Sequence, residues 1–212
     1  MSNLFSLLTL LLFSTSTFAQ DMYLEYKTSG TMAATNKVYT SSTSGMRMEM
    51  EMNMPQIGKM LTIVMMPKGK NSMYILNEKN KTYTESPLNG EQMGKDLDYS
   101  IQVVGKEKVA GYNCVHLKVT TNKNQITDMW TTKDIAGYEA MEVLTKGIDM
   151  FGSKDVFAQL KSKGADGIMV KTVLNMGGSS MVNELVKVEK RSNPASLFAL
   201  PASYSKVSTP KY

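Results

Sequence analysis

Five methionines alternate with polar residues along one short stretch of the chain, a spacing that could bind a soft metal ion. They are Met46, Met48, Met50, Met52 and Met54, separated by Arg47, Glu49, Glu51 and Asn53. Thioether sulfur is a soft ligand that suits Cu(I), and it is also a flexible, polarizable group that adapts to irregular apolar shapes. The stretch therefore predicts one of two features, a Cu(I) or Ag(I) site centred on Met48, Met50 and Met52 or an adaptable apolar wall.

The only cysteine and the only histidine of the chain, Cys114 and His116, could add two further metal ligands. A structural zinc site needs about four such ligands, so methionines or carboxylates would have to complete it. We favour the interpretation of a small buried thiol beside a histidine at the edge of a sheet. The sequence contains no nucleophile elbow, phosphate loop or dinucleotide-binding fingerprint. We therefore predict a protein that is not an enzyme and needs no cofactor.

The methionine spacing requires a β-strand, because strand side chains alternate between two faces. All five thioethers then share one face, and Arg47 and Glu49 lie on the opposite face, which we expect to be exposed to solvent. Similar short segments recur along the chain, separated by polar, Gly-rich and Asn-rich turns. The predicted strands are 22–26, 37–40, 46–54, 60–66, 72–76, 82–85, 99–109, 113–121, 125–132, 168–176 and 181–190.

Two helices are predicted late in the chain, over 139–151 and 153–163. Ser153 suits the N-cap of the second helix, and Gly164 suits the left-handed position after its C-terminus. Strands greatly outnumber helices. We therefore expect a mainly β fold with a few helices (α+β), in which a curved antiparallel sheet or open half-barrel carries helices over its concave face.

The first residues resemble a secretory signal. The apolar run 4–13 is too short to span a bilayer, which takes about 20 residues, and small residues at Thr17 and Ala19 suit a cleavage site. We expect a signal peptide over 1–19, a single domain over 20–206 and a tail over 207–212, in a protein exported to the periplasm or the extracellular space. The net charge of +5 is spread along the chain rather than clustered, so we predict no nucleic-acid partner.

Four local patterns together resemble a known family. They are the hairpin 73–83, the start of a strand at 105–114, the segment 130–135 and the tail 197–204. In this order they are similar to a family of exported bacterial proteins catalogued as domain of unknown function 4412. That family is similar in fold to the periplasmic lipoprotein carriers and outer-membrane lipoprotein receptors. The resemblance covers about 21–206 and implies an open half-barrel, whose cavity receives acyl chains in the carriers.

The resemblance implies a fold but no activity, since the family itself has none to carry over. The functional arginine of the carriers has no secure counterpart in Arg47 or Arg191, the two arginines of this chain. We nevertheless expect the concave face to bind or carry an apolar ligand, either a lipid or an acylated protein. Its expected wall residues are Met46, Met48, Met50, Met52, Met54, Ile63, Met65 and Trp130.

Two alternatives remain open at this point. One is the Cu(I) or Ag(I) site, for which Met48, Met50, Met52, Cys114 and His116 are the candidate ligands. The other is a structural or protein-interaction domain without a ligand. The sequence leaves peripheral contact with a membrane and the oligomeric state undecided.

Overall fold

The computed structural model describes residues 21–54, 58–88, 99–122, 125–138, 154–176 and 178–208. These residues form a 12-stranded sheet with one α-helix and one short 3-10 helix. The strands are β1 Met22–Gly30, β2 Ala34–Ser41, β3 Gly45–Met54, β4 Gly58–Pro67, β5 Ser72–Asn77, β6 Thr82–Pro87, β7 Tyr99–Val109, β8 Tyr112–Thr121, β9 Ile126–Thr132, β10 Ile168–Met176, β11 Ser179–Lys190 and β12 Ser205–Lys206. The helices are α1 Lys154–Ser162 and the 3-10 turn Ala195–Phe198.

The sheet is open and almost entirely antiparallel. Its strand order is β12-β6-β5-β4-β3-β2-β1-β11-β10-β9-β8-β7, and the parallel pair is β12 with β6. The first and last long strands, β1 and β11, lie side by side and join the two halves of the sheet. The prediction of a mainly β, antiparallel fold is therefore confirmed, and the open sheet is consistent with a half-barrel.

Tight turns between neighbouring strands explain this topology. The β7–β8 hairpin turns at Ala110 and Gly111, whose φ angles of 49° and 89° are both positive. Two positive φ angles give the turn a twist that matches that of the flanking strands. At Gly45, φ is +124°, and an added Cβ would collide with the backbone oxygen of Met66. Glycine at this position lets β3 lie close to the end of β4.

The helix α1 ends as its sequence predicts. The backbone N–H of Gly164 donates to the carbonyl of Lys161 at 3.0 Å, and that of Ala165 donates to the carbonyl of Leu160 at 2.9 Å. With a φ of +67° at Gly164, these bonds form a Schellman cap, which satisfies carbonyls at the helix end. Ser153 and the helix predicted over 139–151 lie outside the described residues, so the covering of a concave face by helices stays a prediction.

The two faces of the sheet at β3 are set by its register with β4. Met46 lies opposite Met66 and Met52 opposite Met60, whereas Arg47 lies opposite Met65 and Glu49 opposite Ile63. We call the first face the methionine face and the second the arginine face. Because side chains alternate along each strand, every residue of β3 and β4 belongs to one of these two faces.

The methionine face continues into the main core of the protein. Met46 and Met66 join a cluster of buried residues that includes Met22, Leu24 and Val38, and Met48 and Val64 pack against it. A second cluster lies farther along the sheet, where Leu117, Val119 and Met129 pack with Leu160 of α1. The core thus extends across both halves of the sheet.

The arginine face is covered rather than solvated around Arg47 and Glu49, which corrects the expectation for these two residues, whereas it is exposed farther along at Leu61. The side chains of Arg47 and Glu49 are only 13% and 18% exposed, and they form an ion pair of 2.7 Å. Arg47 also donates from Nη1 to the carbonyl of Leu197 at 3.3 Å. Leu197 belongs to residues 193–206, which we call the C-terminal segment. This segment crosses the arginine face at Arg47, Ile63 and Met65 and shields that part of the face from water.

Candidate functional site

Methionines dominate the methionine face over three adjacent strands. The register of β3, β4 and β5 places eight of them on this face. They are Met46, Met48, Met50, Met52, Met54, Met60, Met66 and Met73. Strands usually present Val, Ile and aromatic residues on their apolar faces. A surface of unbranched thioethers is instead one that can change shape, because each side chain has several rotatable bonds.

The burial of these methionines is uneven. Met46 and Met52 are 2% and 5% exposed, and Met66 is 5% exposed. Between the two buried positions on β3, Met48 and Met50 are only half-buried, as is Met60 on β4. The centre of the methionine face therefore carries thioethers that the described part of the protein does not fully cover.

A polar cluster borders this centre on the β2 side. Asn36, which lies directly opposite Met50, donates from Nδ2 to Thr28 Oγ1 at 2.9 Å and to Asn183 Oδ1 at 3.3 Å. Thr28 donates in turn to Asn183 Oδ1 at 3.0 Å. In the described part of the chain, no partner accepts from the Asn183 amide nitrogen. The half-buried methionines thus adjoin a hydrogen-bonded polar group in which the Asn183 amide nitrogen has no acceptor among the residues described.

Ile63 and Met65 do not belong to the methionine face, which corrects their assignment to one wall with the methionines of β3. They are 1% and 0% exposed and pack with Tyr74 and Leu76 on the arginine face. Leu200 and Tyr204 of the C-terminal segment cover this cluster. Both side chains therefore serve the packing of that segment on the sheet.

Trp130 is half-buried and is held between side chains of the protein itself. Its ring stacks on His116 with centroids 4.2 Å apart and an interplanar angle of 15°. Lys171 Nζ lies 5.7 Å from the centroid of the indole ring, and the indole N–H donates to Glu107 Oε1 at 2.6 Å. These contacts fix the ring in place.

His116 and Cys114 are both engaged within the fold. His116 Nε2 lies 3.0 Å from Asp128 Oδ1, and Nδ1 lies 3.3 Å from Glu107 Oε1. Cys114 is 2% exposed, and its thiol donates to the carbonyl of Tyr112 at 3.5 Å. Five strands separate β8, which carries these two residues, from β3 in the order of the sheet, although Cys114 belongs to the same cluster of buried residues as Met46 and Met66. Within the described ranges, no three His, Cys, Asp or Glu residues form a group that could hold a metal ion.

We expect the Cys114 thiol to react slowly in the native protein. Burial, followed by the charges of Asp134 and Glu107, raises the pKa of the thiol. Because only the thiolate is nucleophilic, a raised pKa lowers the reactive fraction at pH 8. Labelling with a disulfide reagent at pH 8 should therefore be much slower in buffer than in denaturant. Equal rates in the two solutions would show that this region is open.

Comparison with known proteins assigns the chain to a family. Residues 21–204 match the family described as Domain of unknown function (DUF4412). This match confirms the resemblance read from the sequence motifs, and the chain belongs to this family. No curated protein matches the chain.

One solved structure shares the fold at low sequence identity, and two others resemble the chain more distantly. An uncharacterized conserved protein from Thermus thermophilus has a TM-score of 0.54 at 10% identity, with 90% of this chain and 91% of that chain covered. The lipoprotein LppX from Mycobacterium tuberculosis has a TM-score of 0.39 at 10% identity, with coverage of 82% and 88%. A Vibrio parahaemolyticus domain, provisionally described as an outer-membrane lipoprotein-sorting protein, has a TM-score of 0.33 at 8% identity, with coverage of 83% and 87%.

The helices of the described residues are short. None of them has the length and apolar character that a membrane-crossing helix needs.

Proposed function

We propose that this is an exported, non-enzymatic protein that binds or carries an apolar ligand on its methionine face. The observation that carries the proposal is the pair of half-buried thioethers, Met48 and Met50, between the buried Met46 and Met52. Apolar surface left in contact with water costs about 25 cal/mol per Å². A ligand chain laid along this centre would remove that cost. The predicted signal peptide over 1–19 supports export.

The chemistry of the face favours an acyl chain over a rigid ligand. Flexible thioethers can follow a chain that has many conformations. The Asn183 amide beside the face offers a donor for a carbonyl oxygen, such as that of an ester or amide at the head of an acyl chain. The ligand class is therefore a lipid or the acyl group of an acylated protein.

Binding of a fluorescent fatty-acid probe tests this proposal. The unmodified protein should bind the probe and enhance its fluorescence. Met50→Glu should weaken binding about tenfold or more, because a carboxylate beside the chain must be desolvated. Leu61→Glu is the matched control, since Leu61 is 39% exposed and lies on the arginine face of the adjacent strand. The proposal is wrong if the unmodified protein does not bind the probe, or if both variants weaken binding equally.

A second candidate function is binding of Cu(I) or Ag(I), and the register of β3 with β4 favours it. Met52 lies directly opposite Met60, and Met50 is the next residue on the same face. Directly opposed side chains have Cβ atoms about 4.5–5.5 Å apart, so three thioethers could meet at one ion. This would be a site of thioethers alone, without His116 or Cys114.

A substitution that keeps the apolar wall separates the two functions. Met50→Leu combined with Met52→Leu and Met60→Leu removes the sulfur ligands while conserving volume. If the methionines bind metal, anaerobic Cu(I) titration against a competing chelator should show a site that this triple variant lacks. If they form an apolar wall, the variant should keep its affinity for the fatty-acid probe. A protein that binds neither Cu(I) nor the probe would be a structural or protein-interaction domain.

A further inference from the structure

A separate pocket of about 420 Å³ lies at one end of β7 and β8, and no residue of β3, β4 or β5 lines it. It is bounded by β7, β8, the end of β9 and Gly164, which lies two residues after α1. Its lining includes Lys106, Lys108, Asn113, Val115 and Thr131. Pockets for small ligands have volumes of roughly 300–1,000 Å³. The pocket is therefore large enough for a small organic molecule.

Two lysines project on the same side of β7 at this pocket. Lys106 lies opposite Val115 and Lys108 opposite Asn113, so strand alternation places both on one face. Glu107 lies between them and also borders the pocket. Its carboxylate, however, accepts from the Trp130 indole and contacts His116. The acidic residue between the two lysines is thus already engaged with other side chains.

The other charged side chains around the pocket, Lys133 and Asp134, have partners within the fold. Lys133 Nζ lies 2.6 Å from Asp166 Oδ1. Asp134 Oδ2 accepts from the backbone N–H and from Nδ2 of Asn113, both at 2.9 Å. No carboxylate pairs with Lys106 or Lys108 in the ranges that the structure describes. These two ammonium groups therefore stand at the rim without an ion-pair partner among those residues, whereas Glu107 and Asp134 already accept hydrogen bonds within the fold.

The interior of the pocket adds an apolar surface and an unused hydroxyl group. Val115 and the buried Cys114 line it. Thr131 is 2% exposed, and its Oγ1 has no hydrogen-bond partner in the described part of the protein. A buried hydroxyl without a partner carries an uncompensated desolvation penalty, which an entering acceptor oxygen would relieve.

From these observations we propose that this pocket binds a small organic anion, with its carboxylate or phosphate at Lys106 and Lys108 and a short apolar group over Val115. The hydrogen bonds between Asp134 and Asn113 hold the rim in position before the ligand arrives, which reduces the ordering cost of binding. This site does not depend on the methionine face.

Calorimetric titration with octanoate, inorganic phosphate and octanol tests the proposal. Octanoate or phosphate should bind, and octanol should not displace the bound anion from the pocket. The double variant Lys106→Gln and Lys108→Gln should weaken anion binding about tenfold, because each of the two exposed charges contributes roughly threefold. Lys118→Gln combined with Lys27→Gln removes the same charge elsewhere on the sheet and should leave the affinity unchanged.

The outcomes distinguish the anion sources and the two sites. Binding of phosphate alone would support recognition of the charged group itself, and binding of octanoate alone would support a carboxylate with a chain. Octanoate bound on the methionine face would be weakened by Met50→Glu rather than by the lysine double variant, and that result would contradict the pocket proposal. The pocket proposal would also be overturned if neither anion binds, or if the two double variants weaken anion binding equally.

Discussion

Met65→Ala should lower the free energy of unfolding by about 2–5 kcal/mol, the usual cost of removing a fully buried large side chain. Met65 is 0% exposed and packs with Ile63, Tyr74 and Leu76 beneath the C-terminal segment. The truncation would leave a cavity between the sheet and this segment. It would also remove the contact between Met65 sulfur and Arg47 Nη1 at 3.6 Å. Urea unfolding followed by circular dichroism measures the change.

Leu61→Ala is the control for this experiment. Leu61 lies on the same strand and on the same face as Met65, opposite Glu51, but is 39% exposed. Its truncation should cost less than about 1 kcal/mol, because little apolar area returns to water. Equal costs for the two variants would mean that the C-terminal segment does not cover the arginine face in solution.

Asn193→Leu should be strongly destabilising, by about 2–4 kcal/mol, because it leaves buried carbonyl groups without donors. The Asn193 side-chain amide donates to the carbonyl oxygens of Met22 at 3.1 Å and Thr40 at 2.9 Å. These bonds fasten the start of the C-terminal segment to β1 and β2. The residue is 6% exposed, so water cannot readily replace the lost donors. Thermal and urea unfolding should both report the loss.

Ser192→Ala provides the comparison for Asn193. Ser192 is the adjacent residue and is exposed to solvent, so its substitution should change stability by less than about 0.5 kcal/mol. The side chain of Asn193 would not be the attachment point of the C-terminal segment if its replacement by leucine had an equally small effect.

The strands of this protein are largely encoded locally, and the sequence predicted them well. The alternation from Met46 to Met54 predicted both that this segment is a strand and which of its residues share a face. The register of β3 with β4 confirms both predictions. The turn residues Gly111 and Gly164 likewise occupy the conformations that their positions predict. Such features depend on a few neighbouring residues, and the single sequence contains them.

The face assignment of β4 was harder to predict for a physical reason. Ile63, Val64, Met65 and Met66 form a continuous apolar run, and both faces of this part of the strand are covered. A strand that is buried on both faces loses the alternation that identifies its inner side. The placement of Ile63 and Met65 then depends on register with β3, which the β4 sequence does not reveal.

The covering of Arg47 and Glu49 by the C-terminal segment could not be predicted from the sequence of β3. A charged residue alternating with apolar ones predicts a solvated face. Here the bond from Arg47 to the carbonyl of Leu197 joins residues 150 positions apart. Only the tertiary path of the C-terminal segment, ending in the parallel pairing of β12 with β6, brings these residues together.

Native mass spectrometry of the protein purified under mild conditions from its own host tests the proposed function most directly. We expect a population of the folded protein to carry a bound lipid or acyl chain, released on unfolding. Met50→Glu protein prepared in the same way should carry much less of it, and Leu61→Glu protein should carry as much as the unmodified chain. Recovery of the folded protein free of any lipid, together with a failure to bind the fluorescent fatty-acid probe, would contradict the proposed function.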